Sequence, residues 1–220
     1  TLPPSDQKLL WIIILRRIGP HIFDPSIIPL SMWGFLPGRS TREISSLTED
    51  FLDHALTGEG VDPVNAIMTA LDLKGAFDKV SHLLVETVWK RLGLPFGDYL
   101  TSHLRGAFQK YKTVYGWTPA VPVTGGVPRG GIEGPILFLL AILPLLLYIQ
   151  KHYPDDSPLW SPQLGYADDL NVMSYVSGLT RKEDRHTHNS IFRLITEYCN
   201  ENGLPVAPLE TQHLEWGTQK

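Results

Sequence analysis

Three carboxylates stand out by their setting. Asp72 lies near the end of the apolar run 66–73 (AIMTALDL), and Asp168 and Asp169 sit side by side between two β-prone runs, 163–167 and 170–175. A carboxylate in an apolar strand is unfavourable unless a partner or a cation compensates it, and adjacent aspartates repel one another. A bound divalent cation relieves both. Three carboxylates from two neighbouring strands suit Mg²⁺, a hard cation that takes one or two protein carboxylates, several waters and substrate phosphates. A pair of such ions serves in-line phosphoryl transfer by activating the attacking oxygen and stabilising the leaving one. Spacing alone leaves a second reading open, in which Asp168-Asp169 is ordinary turn chemistry and Asp72 a helix cap.

The elements that must position these groups follow from periodicity and punctuation. A helix is expected over residues 5–18, ending at Gly19-Pro20, and another from a Ser40 or Thr41 cap to about residue 57. Residues 58–63 are turn chemistry, 66–73 a buried strand, and the next helix carries Val80, Leu83, Leu84, Thr87 and Val88 on one stripe. A further helix spans 96–110, and two short strands flank Gly116. The glycine cluster 125–131 leads into an apolar helix at 133–151, and 154–162 is a loop. Asp168-Asp169 joins two strands as a hairpin, residues 181–201 form an amphipathic helix ended by Gly203, and 204–216 add one or two strands. Strands and helices mix without regular alternation. The expected class is α+β, an antiparallel sheet with helices packed on one face.

The residues around the aspartates decide between the two readings. Residues 34–41 read GFLPGRST, 70–82 read ALDLKGAFDKVSH, 126–130 read GVPRG with GPILF at 134–138, and 166–169 read YADD. In this order and spacing the chain resembles a reverse transcriptase, closest to the non-LTR retrotransposon (LINE-like) and group II intron branch, from about residue 8 to 216. A lone YADD is a weak signal; four motifs in family order are a specific one.

The resemblance implies a polymerase palm with partial fingers: residues 1–64 as a partial fingers subdomain, 65–220 as palm, and no thumb. It implies RNA-directed DNA synthesis on an RNA template with a DNA primer and deoxynucleoside triphosphates, two Mg²⁺ ions as cofactor and Mn²⁺ as a substitute. Asp72, Asp168 and Asp169 match the catalytic, metal-holding aspartates, with Asp72 and Asp168 bridging the ions and Asp169 in support. Leu73, Gly75, Ala76, Phe77, Arg129 and Gly130 match nucleotide-binding positions. Backbone amides near Gly75 and Ala76 would meet the triphosphate, and the Phe77 ring would clash with a ribose 2′-hydroxyl. Arg39 would contact the template or the nucleotide. Further domains of the same polyprotein, a thumb and an endonuclease, fit this picture, as does an intracellular, nuclear setting.

Three residues depart from the family pattern. Arg129 stands where glutamine is usual, Glu133 brings a negative charge towards a nucleic-acid site, and Glu210 falls where a lysine is expected. They favour the rival reading, a catalytically inactive nucleic-acid-binding scaffold or a decayed element.

Composition bounds the answer. The 220 residues are 43% hydrophobic, which excludes a disordered tail, and the single Cys199 excludes a disulfide scaffold. Net charge is −4, which argues against a strongly basic module. That charge is uneven, because residues 1–42 hold five basic and two acidic side chains and no acid occurs from Tyr99 to Ile132. In that second stretch Tyr99, Phe108, Tyr111, Tyr115 and Trp117 interleave with Arg105, Lys110, Lys112 and Arg129. This is the composition of a single-strand track, with Lys110 and Lys112 as nucleic-acid contacts, or of an ordinary amphipathic helix and hairpin with core aromatics. The apolar run 136–149 is interrupted by Pro144 and is short of the roughly 20 residues a membrane span needs. It is expected to be a core helix, with no membrane partner. His186 and His188 are expected at a solvated helix end, and Cys199, His82 and Trp33 as packing residues.

Overall fold

The computed structural model describes residues 5–24, 26–29, 31–57, 65–128, 130–153, 163–166, 169–176 and 181–216. The helices are α1 (Ser5–Ile22), α2 (Thr41–Thr57), α3 (Ala76–Lys79), α4 (His82–Arg91), α5 (Gly97–Arg105), α6 (Gly134–His152) and α7 (Arg181–Glu201). The strands are β1 (Asn65–Asp72), β2 (Phe108–Gln109), β3 (Lys112–Thr113), β4 (Gly116–Trp117), β5 (Val121–Pro122), β6 (Gln163–Tyr166), β7 (Asp169–Val176) and β8 (Gln212–Trp216). The chain forms two compact units, one of residues 1–22 and 75–142, the other of 23–74 and 143–220.

The second unit carries a four-stranded sheet in the order β6-β7-β1-β8, antiparallel throughout. Side chains alternate between the faces of a strand. Ala66, Met68, Ala70 and Asp72 of β1 therefore share a face with Tyr175, Met173, Asn171 and Asp169 of β7, their register partners. Helix α2 covers the apolar end of that face: Phe51 packs on Ala66 and Met173, and its ring stacks on Tyr175 at 4.3 Å between centroids. The helix begins with half of a capping box, the Ser40 N–H donating to the Glu43 carboxylate. The opposite face carries Ile67, Thr69, Leu71, Val172 and Ser174, and α7 lies against it. The expected α+β class with an antiparallel sheet is the fold of the chain, but the helices, expected on one face, lie on both, α2 on one and α7 on the other, because both faces of β1 and β7 carry apolar side chains that need cover.

Several boundaries differ from the sequence reading. Helix α1 runs through Gly19-Pro20 to Ile22, because Ile18 and Ile22, one turn apart, are both fully buried. The stripe Val80, Leu83, Leu84, Thr87, Val88 does not form. The chain breaks at Val80-Ser81, Ser81 caps a new helix by accepting from the Leu84 N–H, and the buried face of α4 becomes His82, Val85, Val88 and Trp89, with Leu83 exposed. Helix α5 stops at Arg105, where the Gly106 N–H bonds to the Ser102 carbonyl. The rest of the expected helix 96–110 instead pairs as strand, Phe108 opposite Pro122. The region 108–122 is thus two small ribbons, β2–β5 and β3–β4.

Helix α6 is the core helix expected. It is long and apolar enough by composition to cross a membrane. Its residues from Leu137 to Ile142 are nevertheless fully buried in the protein, and only its later turns expose Leu147 and Tyr148.

Candidate active site

Strands β1 and β7 place Asp72 directly opposite Asp169 at the end of the sheet. Directly opposed residues of an antiparallel pair hold their Cβ atoms about 4.5–5.5 Å apart, and like charges there are destabilising. Asp72 is half-buried and Asp169 exposed. Past Asp72 the chain stays tied down: the Ala207 N–H bonds to the Asp72 carbonyl, the Lys74 N–H to the Pro205 carbonyl, and Leu73 bridges to Val206. Leu73 is itself buried. Asp168 lies outside the described residues, between the strand ends Tyr166 and Asp169.

The loop 31–39 is anchored to the same hairpin. Met32 makes a parallel bridge to Gly165, and the Trp33 and Gly34 N–H groups both bond to the Gly165 carbonyl. A Cβ at Gly165 would lie 3.1 Å from Met32 Sδ and 3.3 Å from a Leu170 methyl, so the close approach favours glycine. Arg39 turns back into this loop, donating to the Met32 carbonyl with its guanidinium 4.8 Å over the Trp33 ring. Partial burial draws its pKa below the ordinary arginine value, and Glu43 opposes the shift.

In the first unit the segment after the aspartate strand and the glycine turn are bonded together. Gly75 adopts a left-handed conformation ahead of α3, Ala76 is buried, and the Phe77 ring stacks on Phe138 at 5.0 Å. The Val127 N–H bonds to the Phe77 carbonyl, and the Gly126 N–H to that of Val80. A Cβ on Gly126 would meet the Asp78 carbonyl oxygen at 2.7 Å, so no side chain fits there. His82 donates from Nε2 to the Gly126 carbonyl, the packing role expected of it. The turn is closed by the Gly131 N–H on the Pro128 carbonyl, with Gly130 at positive φ; Arg129 lies outside the described residues.

Glu133 does not project into solvent. It is 1% exposed, and its Oε1 lies 3.4 Å from His103 Nε2 on α5. Gln7 donates to His103 Nδ1, which leaves the ring proton on the nitrogen facing Glu133. The carboxylate also packs beneath Gly131, where a Cβ would meet it at 2.8 Å. The charge is thus buried as a support for the turn.

A second polar network escaped the sequence reading. His188 is buried, not solvated: Nε2 meets Thr69 Oγ1 and Nδ1 meets Ser174 Oγ, and Thr69 Oγ1 also meets His213 Nδ1, all at 2.8–2.9 Å. Burial first, then His213 and Arg185, pull its pKa down to about 4. The signal was present as two hydroxyl residues inside apolar strands, on one face once the register is known. Cys199 is a buried thiol, its pKa pushed up to about 12 by desolvation. Glu210 sits exposed in a turn.

Lys110 and Lys112 are exposed on the ribbon region and make no ion pair among the described residues. Arg105 is engaged by Glu86 in two hydrogen bonds.

A four-stranded antiparallel sheet with opposed aspartates at its end and a long helix beneath defines a polymerase palm. The chain belongs to the reverse transcriptase (RNA-dependent DNA polymerase) family, which it matches over residues 1–218. It is 26% identical over 213 residues to a probable RNA-directed DNA polymerase from transposon BS of Drosophila melanogaster, covering 96% of this chain and 22% of that protein. It is 28% identical over 142 residues to the corresponding protein of transposon X-element from the same organism, covering 64% of this chain and 15% of that one. The match therefore spans less than a quarter of the length of either relative. Among solved structures it shares its fold with telomerase from Candida albicans (TM-score 0.64, 12% identity, 94% of this chain and 34% of that one) and with apo telomerase from Candida tropicalis truncated from its C-terminal domain (0.61, 14%, 97% and 41%). The reverse transcriptase resemblance carried by the motifs is borne out by the family match, and both relatives are transposon polymerases.

Proposed function

We propose that this domain carries out RNA-directed DNA synthesis, adding a deoxynucleotide to a primer 3′-hydroxyl on an RNA template. The observation that carries the reading is the opposition of Asp72 and Asp169 across β1 and β7. Two like charges at one strand end are unfavourable alone and well matched to hard divalent cations, which take carboxylate oxygens. Asp72, Asp168 and Asp169 would hold two Mg²⁺ ions, with Mn²⁺ as a substitute. When bound, such ions lower the pKa of the attacking hydroxyl and offset charge on the phosphates.

The rest of the chemistry in this reading belongs to the protein's own residues. The register holds two carboxylates on one sheet face. Phe77, braced by Phe138, excludes a ribose 2′-hydroxyl. Gly75 and Ala76 would let backbone amides approach the triphosphate, and the segment 128–130, with Arg129 and Gly130, would pack near the nascent pair and template. Arg39 organises the fingers loop by which the template would pass. In subdomain terms, residues 1–64 would serve as partial fingers and 65–220 as palm; all four strands of the sheet fall in the second range, while the compact units divide the chain differently, after residues 22, 74 and 142.

Primer extension on an RNA template with Mg²⁺ tests the assignment, comparing the wild-type chain with Asp72→Asn and Asp168→Asn. Incorporation by the wild type and its loss in both variants is the expected result. Equal incorporation by all three would remove the aspartates from catalysis. A wild-type chain that binds template and primer but adds nothing supports the inactive scaffold instead.

A further inference from the structure

The ribbons at 108–122 leave their aromatic side chains in water. Tyr115 is 98% exposed, Phe108 64%, Trp117 63% and Tyr111 58%, and Val114 beside Tyr115 is likewise exposed. Exposed apolar side chains scattered singly are ordinary, whereas a contiguous set marks a contact surface. Two features select the partner. The first is charge. No acidic residue occurs from Tyr99 to Ile132, and the exposed Lys110 and Lys112 make no ion pair among the described residues. The second is register. Lys112 stands directly opposite Trp117 across β3 and β4, so an ammonium stem and an indole lie side by side on one face of the ribbon. A base stacked on that indole brings its phosphate to the lysine. An anionic polymer with exposed flat rings matches both features; duplex nucleic acid, whose bases are already stacked, matches only the first.

We propose that the β3–β4 ribbon is a binding site for single-stranded nucleic acid, with Trp117 and Tyr115 stacking bases and Lys110 and Lys112 meeting phosphates. The site needs no aspartate and no metal. It rests on the polymerase reading only for which strand it holds, the unpaired template.

The test is equilibrium binding of a fluorescently labelled 12-nucleotide oligouridine, followed by anisotropy over a salt series, with a blunt RNA duplex of equal length as comparison. The wild-type chain is expected to prefer the single strand. Trp117→Ala should weaken single-strand binding by about 5- to 100-fold, the range of one stacked base, with its salt dependence unchanged and with Trp117→Phe restoring most of it. Lys112→Ala should reduce the slope of log affinity against log salt by about 0.7, the value for one phosphate contact on a single strand. All these side chains are exposed, so thermal unfolding of the variants should match that of the wild type. A Trp117→Ala protein that binds like the wild type, or a wild-type chain that does not bind the single strand, overturns the proposal. So do substitutions that change only the chain's sedimentation, which would make the ribbon a contact between copies. Loss of primer extension with these binding results intact would count against the polymerase reading alone.

Discussion

Asp72 and Asp169 are register partners, facing each other from the adjoining ends of β1 and β7 on one face of the sheet. The pairing brings together carboxylates nearly a hundred residues apart in the chain, and sets them against each other. Like charges directly opposed in a sheet disfavour one another, and a divalent cation taking both carboxylates relieves them. Mg²⁺ is therefore expected to raise the melting temperature of the wild type, by roughly 2–4 °C per kcal/mol of binding, and Asp169→Asn to reduce that rise. Scanning calorimetry with and without Mg²⁺ measures it. An equal rise in wild type and variant would show that Asp169 takes no part in holding the ion.

Phe77 is half-buried with its ring stacked on Phe138. If it gates the sugar, Phe77→Val should lower the preference for deoxynucleotides over ribonucleotides by about tenfold or more, the usual scale of discrimination by pocket shape. Parallel single-nucleotide incorporation assays give the ratio. An unchanged ratio at reduced overall rate would mean the ring acts only as packing against Phe138.

Glu133 is a buried carboxylate whose Oε1 faces His103 and makes no hydrogen bond among the described residues. Removing the imidazole takes away the nearest polar neighbour of a buried carboxylate. His103→Leu should destabilise the chain by about 1–3 kcal/mol, whereas the double replacement His103→Leu, Glu133→Leu should recover much of that loss. Urea denaturation of the three proteins completes the cycle. Additive losses would show that the two side chains do not interact.

His188 predicts a pH dependence. Its folded pKa is pulled down to about 4, so the native state favours the neutral ring. The stabilisation is full above the ordinary histidine value near 6.5 and disappears as pH falls towards 4, an effect of at most about 3 kcal/mol. Denaturant midpoints should fall between pH 7 and pH 4.5 by more in the wild type than in His188→Gln. The same fall in both proteins would place the titration elsewhere.

The departures that favoured an inactive chain read differently once their positions are known. Glu133 is buried under the turn it appeared to oppose, and Glu210 is exposed in a turn. Arg129 and Asp168 are outside the described residues, so primer extension, not geometry, tests them.

Local signals carried a large part of this protein. Apolar run length and turn chemistry determined the strand ending in Asp72, the hairpin around Asp168-Asp169, the α7 helix and the buried α6, because each depends on residues close in sequence. The motif order determined the family. Tertiary structure decided what depends on distant partners. The stripe on α4 was misjudged because Ser81 restarts the helix and shifts its phase, and Phe108 left a helix pattern to pair with Pro122. Thr69 gains its meaning only from His188, 119 residues away, and Ser174 from the same ring once α7 folds back on β7, and the ionisable Glu133 and His188 look solvated until burial is known. Spacing along a chain fixes the face a side chain takes within its own element. Which atoms meet that face is set by register and packing between elements, and those decide whether a charge is exposed to substrate or buried as support.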